Sequence, residues 1–208
     1  MIRDAFFSSA AAAATLLREP ALAARWSEPS ALADLSVGGL ARHLANQVTH
    51  SVPLLAGASE ASAVPVLEHY TRNAWVTSGL DGRDNVAIRR KGEADAAVTT
   101  PQALADEFDA ALAELHRVVS DEPAHRVVEI RTWGLTVDDF LLTRLMELVV
   151  HSDDLAVSLG VPTPELPPEA TEATILLLSR IAAWRHGPLA VVRALARRER
   201  APESVAAL

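Results

Sequence analysis

The chain has 208 residues, of which 50% are hydrophobic and 22% charged, so it is long enough to bury a substantial core and too apolar for a disordered protein. The sequence contains no cysteine, which excludes disulfides, thiolate zinc sites, iron–sulfur clusters and a cysteine nucleophile. Its formal net charge of −8 argues against nucleic acid as a partner. The apolar stretch over 5–17 is too short to span a bilayer, so we expect a cytoplasmic protein without a membrane partner.

In the first half of the chain, prolines and polar caps mark the ends of the predicted helices. Pro20 ends the first helix, because proline lacks the amide proton and clashes with the preceding turn. Ser36 is a typical N-cap for the next helix, which Pro53 should kink or end. The segments predicted here are a helix over about 4–19, a connection over 26–35, helices over 37–55 and 65–79, and a turn over 81–85.

The second half is also predicted to be mainly helical. Thr136, with Asp139 three residues later, resembles a capping box and opens the longest helix, which ends near Gly160. The other segments predicted here are a helix over about 101–123, one short strand within 125–133, and helices over 167–187 and 189–200. These elements predict a single all-α domain over 1–208, built as an antiparallel four-helix bundle with additional C-terminal helices over about 168–200.

Polar side chains share one face of the helix that follows Thr136. At about 100° per residue, an arc of about 80° contains Arg144, Glu147, His151, Asp154 and Ser158. Such a stripe is also compatible with a face that contacts only water. Glu147 and His151 lie four residues apart, however, so a carboxylate and an imidazole could bind one cation together. Asp154 could fix the tautomer of His151 by accepting its free ring proton, or stand alone on the surface.

A second histidine offers a third ligand. His43 lies at the edge of the apolar face of the second helix, with Gln47 and His50 one and two turns further along as candidate outer partners. A histidine there is also compatible with a satisfied residue at the boundary of the core. If its helix faces the helix of Glu147 and His151, the three side chains form a three-ligand zinc site with an open fourth position.

Two stretches carry a family resemblance. The sequences WSEPSALADLSVGGLARHL over 26–44 and RLMELVVHSDDLAVSLG over 144–160 resemble the metal-binding N-terminal domain of mycothiol-dependent maleylpyruvate isomerase. That domain belongs to the DinB-like superfamily of four-helix metalloproteins, and the likeness extends from the first helix to about residue 160. The resemblance implies a divalent metal, zinc, held by His43, Glu147 and His151, with water or a thiolate completing the shell.

The resemblance also guides the functional hypothesis. Full-length isomerases of this kind have a small α/β domain after the bundle, whereas helix-forming residues follow Gly160 here, so the maleylpyruvate reaction itself is not implied. The leading hypothesis is a metal-assisted transferase or isomerase that uses mycothiol as cosubstrate on a small electrophile, with Arg144 orienting a substrate carboxylate. A non-catalytic metal- or ligand-binding stress or sensor protein and a metal-dependent hydrolase remain alternatives. Apolar arcs on several helices permit a homodimer.

Overall fold

Helices supply most of the regular structure. The computed structural model describes residues 2–57, 59–79, 81–120 and 122–208. The α-helices are α1 (Ile2–Leu17), α2 (Pro20–Arg25), α3 (Val37–Thr49), α4 (Ser51–Ala56), α5 (Val66–Thr71), α6 (Arg83–Ala97), α7 (Pro101–Ser120), α8 (Val137–Leu159), α9 (Pro168–His186) and α10 (Pro188–Ala196). Short 3-10 helices cover Ala74–Val76 and Arg198–Arg200, and two strands, β1 (Val127–Glu129) and β2 (Gly134–Thr136), form a hairpin.

Four long helices build the bundle. In a closed ring, α1 packs against α8, α8 against α3, α3 against α7, and α7 against α1. Their apolar faces form one core, in which Phe6, Leu44, Phe108 and Leu148 are fully buried. This arrangement confirms the all-α bundle expected from the sequence, and it places α3 directly against α8.

Polar caps fix the ends of the two helices that matter most for the site. The Ser36 hydroxyl accepts a hydrogen bond from the Gly39 amide at 3.0 Å, and the Thr136 hydroxyl accepts one from the Asp139 amide at 3.1 Å. At its other end, α8 stops at Gly160, which has a φ of 71° that glycine adopts without strain. The predicted starts of both helices and the end of α8 are therefore confirmed.

Two local predictions need correction and one is confirmed. The predicted turn over 81–85 covers the start of α6, a helix that the sequence did not indicate because it buries only Gly92 and Ala96 among its described residues. The break that Pro53 predicts in the helix over 37–55 is confirmed and lies at His50, because the proline ring is incompatible with a helical contact to the carbonyl of Thr49 four residues earlier. The predicted helix over 65–79 is only α5 followed by the 3-10 turn.

The predicted single strand is half of a hairpin. β1 pairs with β2 in antiparallel register, with Val127 opposite Thr136 and Glu129 opposite Gly134. A side chain at Gly134 would collide with Val127, so the close approach of the strands requires glycine there. Because a glycine adds nothing to a hydrophobic pattern, β2 was not predicted from the sequence.

The C-terminal region folds back toward the bundle. Helix α9 packs on α8, and α10 packs on α9. The last helix, predicted to reach about residue 200, ends at Ala196 and is followed by the 3-10 turn over Arg198–Arg200. After that turn, His186 Nε2 lies 2.7 Å from the carbonyl oxygen of Ala206, and Ala207 is buried. Among the helices in the described ranges, none combines the length and the hydropathy of a bilayer-spanning segment.

Candidate metal centre

Helix α3 positions the first candidate ligand. Its apolar face, which includes Leu40 and Leu44, is buried in the bundle, and His43 lies at the border of that face with 27% of its side chain exposed. Because α3 packs against α8, this border points the imidazole toward the polar stripe of α8. The stripe therefore faces another helix and not only water.

Helix α8 supplies the other two side chains. Glu147 and His151 lie on adjacent turns, and their side chains are only 12% and 15% exposed. Glu147 Oε2 lies 3.0 Å from His151 Nε2 and 3.5 Å from His43 Nε2. One ligand atom from each of the three residues lies within 4.8 Å of the others, so the set could hold a metal ion. The sequence predicted this meeting of two segments more than 100 residues apart.

The electrostatics of this cluster favour positive charge between the three side chains. Burial by itself would raise the pKa of Glu147, but its hydrogen bonds with His151 and His43 hold the pKa well below its usual range. Burial would likewise lower the pKa of His151, yet the neighbouring carboxylates of Asp154 and Glu147 raise it to about 9. Carboxylates that hold a proton on an imidazole offer the same attraction to a divalent cation.

Asp154 takes the position predicted for an outer partner. Its Oδ2 lies 2.9 Å from His151 Nδ1, so the Nδ1–H donates to the carboxylate and Nε2 faces Glu147 and His43. This bond fixes the ring orientation that a metal-binding histidine requires. The Ser158 hydroxyl donates to the backbone carbonyl of Asp154 at 2.6 Å and so anchors the same turn.

The other two candidate outer partners behave differently. Gln47 is buried; its amide nitrogen donates to the His43 carbonyl at 2.9 Å, and its oxygen accepts from Arg144 Nη1 at 2.7 Å. It therefore links the helix of His43 to the helix of Glu147. His50 is not brought to the cluster: it lies at the end of α3, where burial and the charges of Lys91 and Arg42 lower its pKa.

Arg144 is a cation with neutral partners. Its Nη1 donates to Gln47, its Nε donates to the Thr143 hydroxyl at 3.1 Å, and its guanidinium lies 5.7 Å from the centre of the Phe140 ring. Within the part of the chain that the structure describes, no carboxylate oxygen lies within ion-pair distance of it. A partly buried arginine of this kind can bind an anion that enters the site.

A cavity opens beside the three candidate ligands. Its volume is about 360 Å³, within the range of small-molecule pockets. It is lined by Leu32, Ala33, His43, Gln47, Trp75, Asn85, Ile88, Arg89, Arg144, Glu147, His151 and Leu208.

Seven of these twelve lining residues were not expected at the site from the sequence. Asn85, Ile88 and Arg89 all come from α6, the helix that was not expected from the sequence. Their spacing of three and four residues was the available signal, because it places all three on one helical face. Trp75 and Leu208 come from segments whose packing has no local sequence signature.

The fold and the site together define a class: a helical bundle with a His, Glu, His cluster between facing helices, beside a small-molecule cavity. Comparison with protein families places the chain in one of them. The model of the mycothiol maleylpyruvate isomerase N-terminal domain matches residues 6–156, so the chain belongs to this family, and the DinB-like superfamily is consistent with the bundle. The matched region contains His43, Glu147 and His151. No curated protein and no solved structure matches the chain.

Proposed function

We propose that this protein binds a zinc ion through His43, Glu147 and His151 and uses it to activate mycothiol for reaction with a small electrophile. The observation that carries the proposal is the meeting of three donor atoms within 4.8 Å, inside the region that matches the isomerase family. Two imidazole nitrogens and one carboxylate oxygen are a ligand set that zinc accepts with one position left open.

The open coordination position of the ion would bind the thiol. Bound zinc lowers the pKa of a coordinated thiol, so that thiolate forms near neutral pH. The chain has no cysteine, so the sulfur comes from an external molecule. Asp154 keeps His151 in the tautomer that binds metal, and the cavity beside the ligands gives the electrophile access to the open position.

Arg144 orients the substrate in the proposed reaction. The thiol loses its proton to solvent, and its sulfur forms a bond to the electrophilic carbon of a substrate whose carboxylate is held by Arg144. In a transferase, the displaced group then leaves with its electron pair and the thiol is consumed. In an isomerase, the sulfur would add to one carbon of a double bond, and the π electron pair would move onto the rest of the substrate. After rotation about the resulting single bond the pair would return, the carbon–sulfur bond would break, and the thiolate would be released unchanged.

The test combines metal analysis with turnover. Protein purified without an affinity tag should contain zinc in about one-to-one ratio with the chain, and zinc-loaded protein should accelerate the loss of an electrophile in the presence of mycothiol. His43→Ala should lose both properties, whereas His125→Ala, at an exposed histidine, should keep both. Zinc binding without turnover would favour the sensor alternative, and ester hydrolysis without thiol would favour the hydrolase.

A further inference from the structure

The cavity beside the metal cluster has an apolar wall that the proposed chemistry does not use. Ile88 from α6 and Leu208 from the C-terminal region line it, although 43% and 42% of these residues are exposed to solvent. Trp75 and Leu32 complete the wall. Large apolar side chains that stay exposed at the mouth of a cavity are typical of a surface that a ligand covers.

Hydrogen bonds hold this wall in place. The Asn85 amide donates to the carbonyl oxygens of Trp75 at 2.9 Å and of Gly79 at 2.8 Å, which ties α6 to the segment that carries the indole. Helix α6 is in turn attached to α3, because the Glu93 carboxylate accepts from the Ser36 amide at 2.7 Å. These contacts connect Ile88 and Trp75, through α6, to the helix that carries His43.

Two arginines line the same cavity, but they differ in their partners. Arg89 Nη2 lies 3.6 Å from the carboxylate of Asp34, so part of its charge is already compensated. Arg144 forms hydrogen bonds with the neutral groups of Gln47 and Thr143 and lies over the Phe140 ring, and no carboxylate among the described residues forms an ion pair with it. An incoming anion therefore gains more from Arg144 than from Arg89.

We infer that the electrophile is an amphiphilic anion, with a carboxylate bound by Arg144 and an apolar, ring-sized body that lies against Ile88, Trp75 and Leu208. This inference rests on the proposed function, because it names the substrate class of the same site. A small dianion without an apolar body would leave the wall exposed, and a neutral apolar molecule would leave Arg144 without a counter-charge. The cavity favours a molecule that has both parts.

The experiment uses ligands that cannot react with a thiol. 3-Phenylpropionate, 3-phenylpropanol and succinate are titrated into the full chain by calorimetry, both zinc-loaded and metal-free. We expect 3-phenylpropionate to bind about tenfold or more tightly than either of the others, since it gains both the ion pair and the apolar contact. Quenching of Trp75 fluorescence should follow the binding and be absent in Trp75→Phe.

Matched variants separate the two contacts. Arg144→Gln should weaken the binding of 3-phenylpropionate about tenfold and leave the affinity for 3-phenylpropanol unchanged. Arg144→Lys should retain much of the affinity for 3-phenylpropionate that Arg144→Gln loses. Ile88→Ser should weaken both aromatic ligands, whereas Ile175→Ser, at an exposed apolar residue of α9 outside the cavity lining, should weaken neither.

Specific results would overturn the inference. If succinate binds as tightly as 3-phenylpropionate, the apolar wall has no role in binding. If 3-phenylpropionate binding requires zinc but not Arg144, its carboxylate binds the metal and not the arginine. In either case thiol turnover could persist, so the proposed function would stand. Conversely, tight binding of 3-phenylpropionate without metal-dependent thiol chemistry would support the binding site and reject the proposed reaction.

Discussion

Two histidines with little solvent exposure, the buried His69 and the partly buried His151, have opposite electrostatic surroundings. Burial would lower the pKa of His151, but the carboxylates of Asp154 and Glu147 raise it to about 9. Burial does lower the pKa of His69, and the positive charges of Arg144 and Arg131 act in the same direction, giving about 4. Burial lowers the pKa of both rings, so the comparison teaches that neighbouring carboxylates can reverse this effect at His151, whereas at His69 burial prevails and the neighbouring arginines add to it.

The hydrogen bonds of the two rings agree with this difference. His151 Nδ1 donates to the Asp154 carboxylate, which leaves Nε2 directed at the cluster. His69 Nδ1 accepts instead from the indole nitrogen of Trp133 at 3.2 Å, an interaction that requires a neutral ring. His151 therefore belongs to the candidate metal cluster, whereas His69 belongs to the packing around α5.

The largest expected effect concerns the three candidate ligands. His43→Ala, Glu147→Ala and His151→Ala should each weaken zinc binding by more than about 100-fold, because each removes a direct ligand, a greater loss than that of an outer partner. Competition with a metal chelator measures the affinity, and circular dichroism should show an intact helical signal. His69→Gln is the matched control at a buried histidine and should keep zinc. Zinc affinity that survives all three alanine changes would refute the assignment.

Removing the partner of His151 should have the next largest effect. Asp154→Asn should weaken zinc binding about 10–100-fold, since it removes the carboxylate that orients the ring. Asp153→Asn is the control, because the neighbouring Asp153 carboxylate is exposed and accepts only from Thr163 in the contacts described for it. The same chelator competition applies to both variants, and equal affinities would show that Asp154 is a surface residue without a role in the site.

The pH dependence of stability should separate the two histidines in metal-free protein. The unfolded pKa of both is about 6.5. Between pH 4 and 6.5, His69 takes up a proton when the protein unfolds. Its contribution to the free energy of unfolding is therefore lost as the pH falls through this range. Between pH 6.5 and 9 unfolding releases a proton from His151, so its contribution is complete below pH 6.5 and is lost as the pH rises toward 9.

Urea denaturation at several pH values tests these signs. His69→Phe should flatten the acid side of the stability profile, and His151→Phe should flatten the alkaline side. An acid side that is unchanged in His69→Phe would mean that other groups cause it. Zinc affinity of the unaltered protein should increase from pH 6 to 9, because the ion displaces a proton from His151.

The smallest effect is expected at the partner of His69. Trp133→Phe should lower the free energy of unfolding by about 1 kcal/mol, since it removes one hydrogen bond from the indole to a neutral ring. Zinc affinity should stay within about threefold of the unaltered protein, because the indole does not contact the cluster. A large loss of zinc in this variant would show that the two histidine environments are coupled.

The sequence predicted the parts of the molecule that have a local signature. The caps Ser36 and Thr136, the end of α8 at Gly160 and the spacing of Glu147 and His151 all depend on neighbouring residues, and each prediction of structure held. Helix α6 has only a weak local signal, the spacing of Asn85, Ile88 and Arg89, because the helix is polar and is held by a distant contact from Glu93 to Ser36. The apolar wall of the cavity was therefore not predicted from the sequence, because α6 and the C-terminal region contribute to it.

The attachment of Glu93 to the start of α3 has a mechanical consequence. Ser36 lies two helical turns before His43, and a side chain at Gly39 would occupy the position of the Glu93 carboxylate, so glycine leaves room for the contact that joins α6 to α3. A ligand that displaces α6 must also pull on the helix that bears an imidazole of the cluster. Evolution of a new ligand preference along α6 would thus be constrained by the need to keep His43 beside Glu147 and His151.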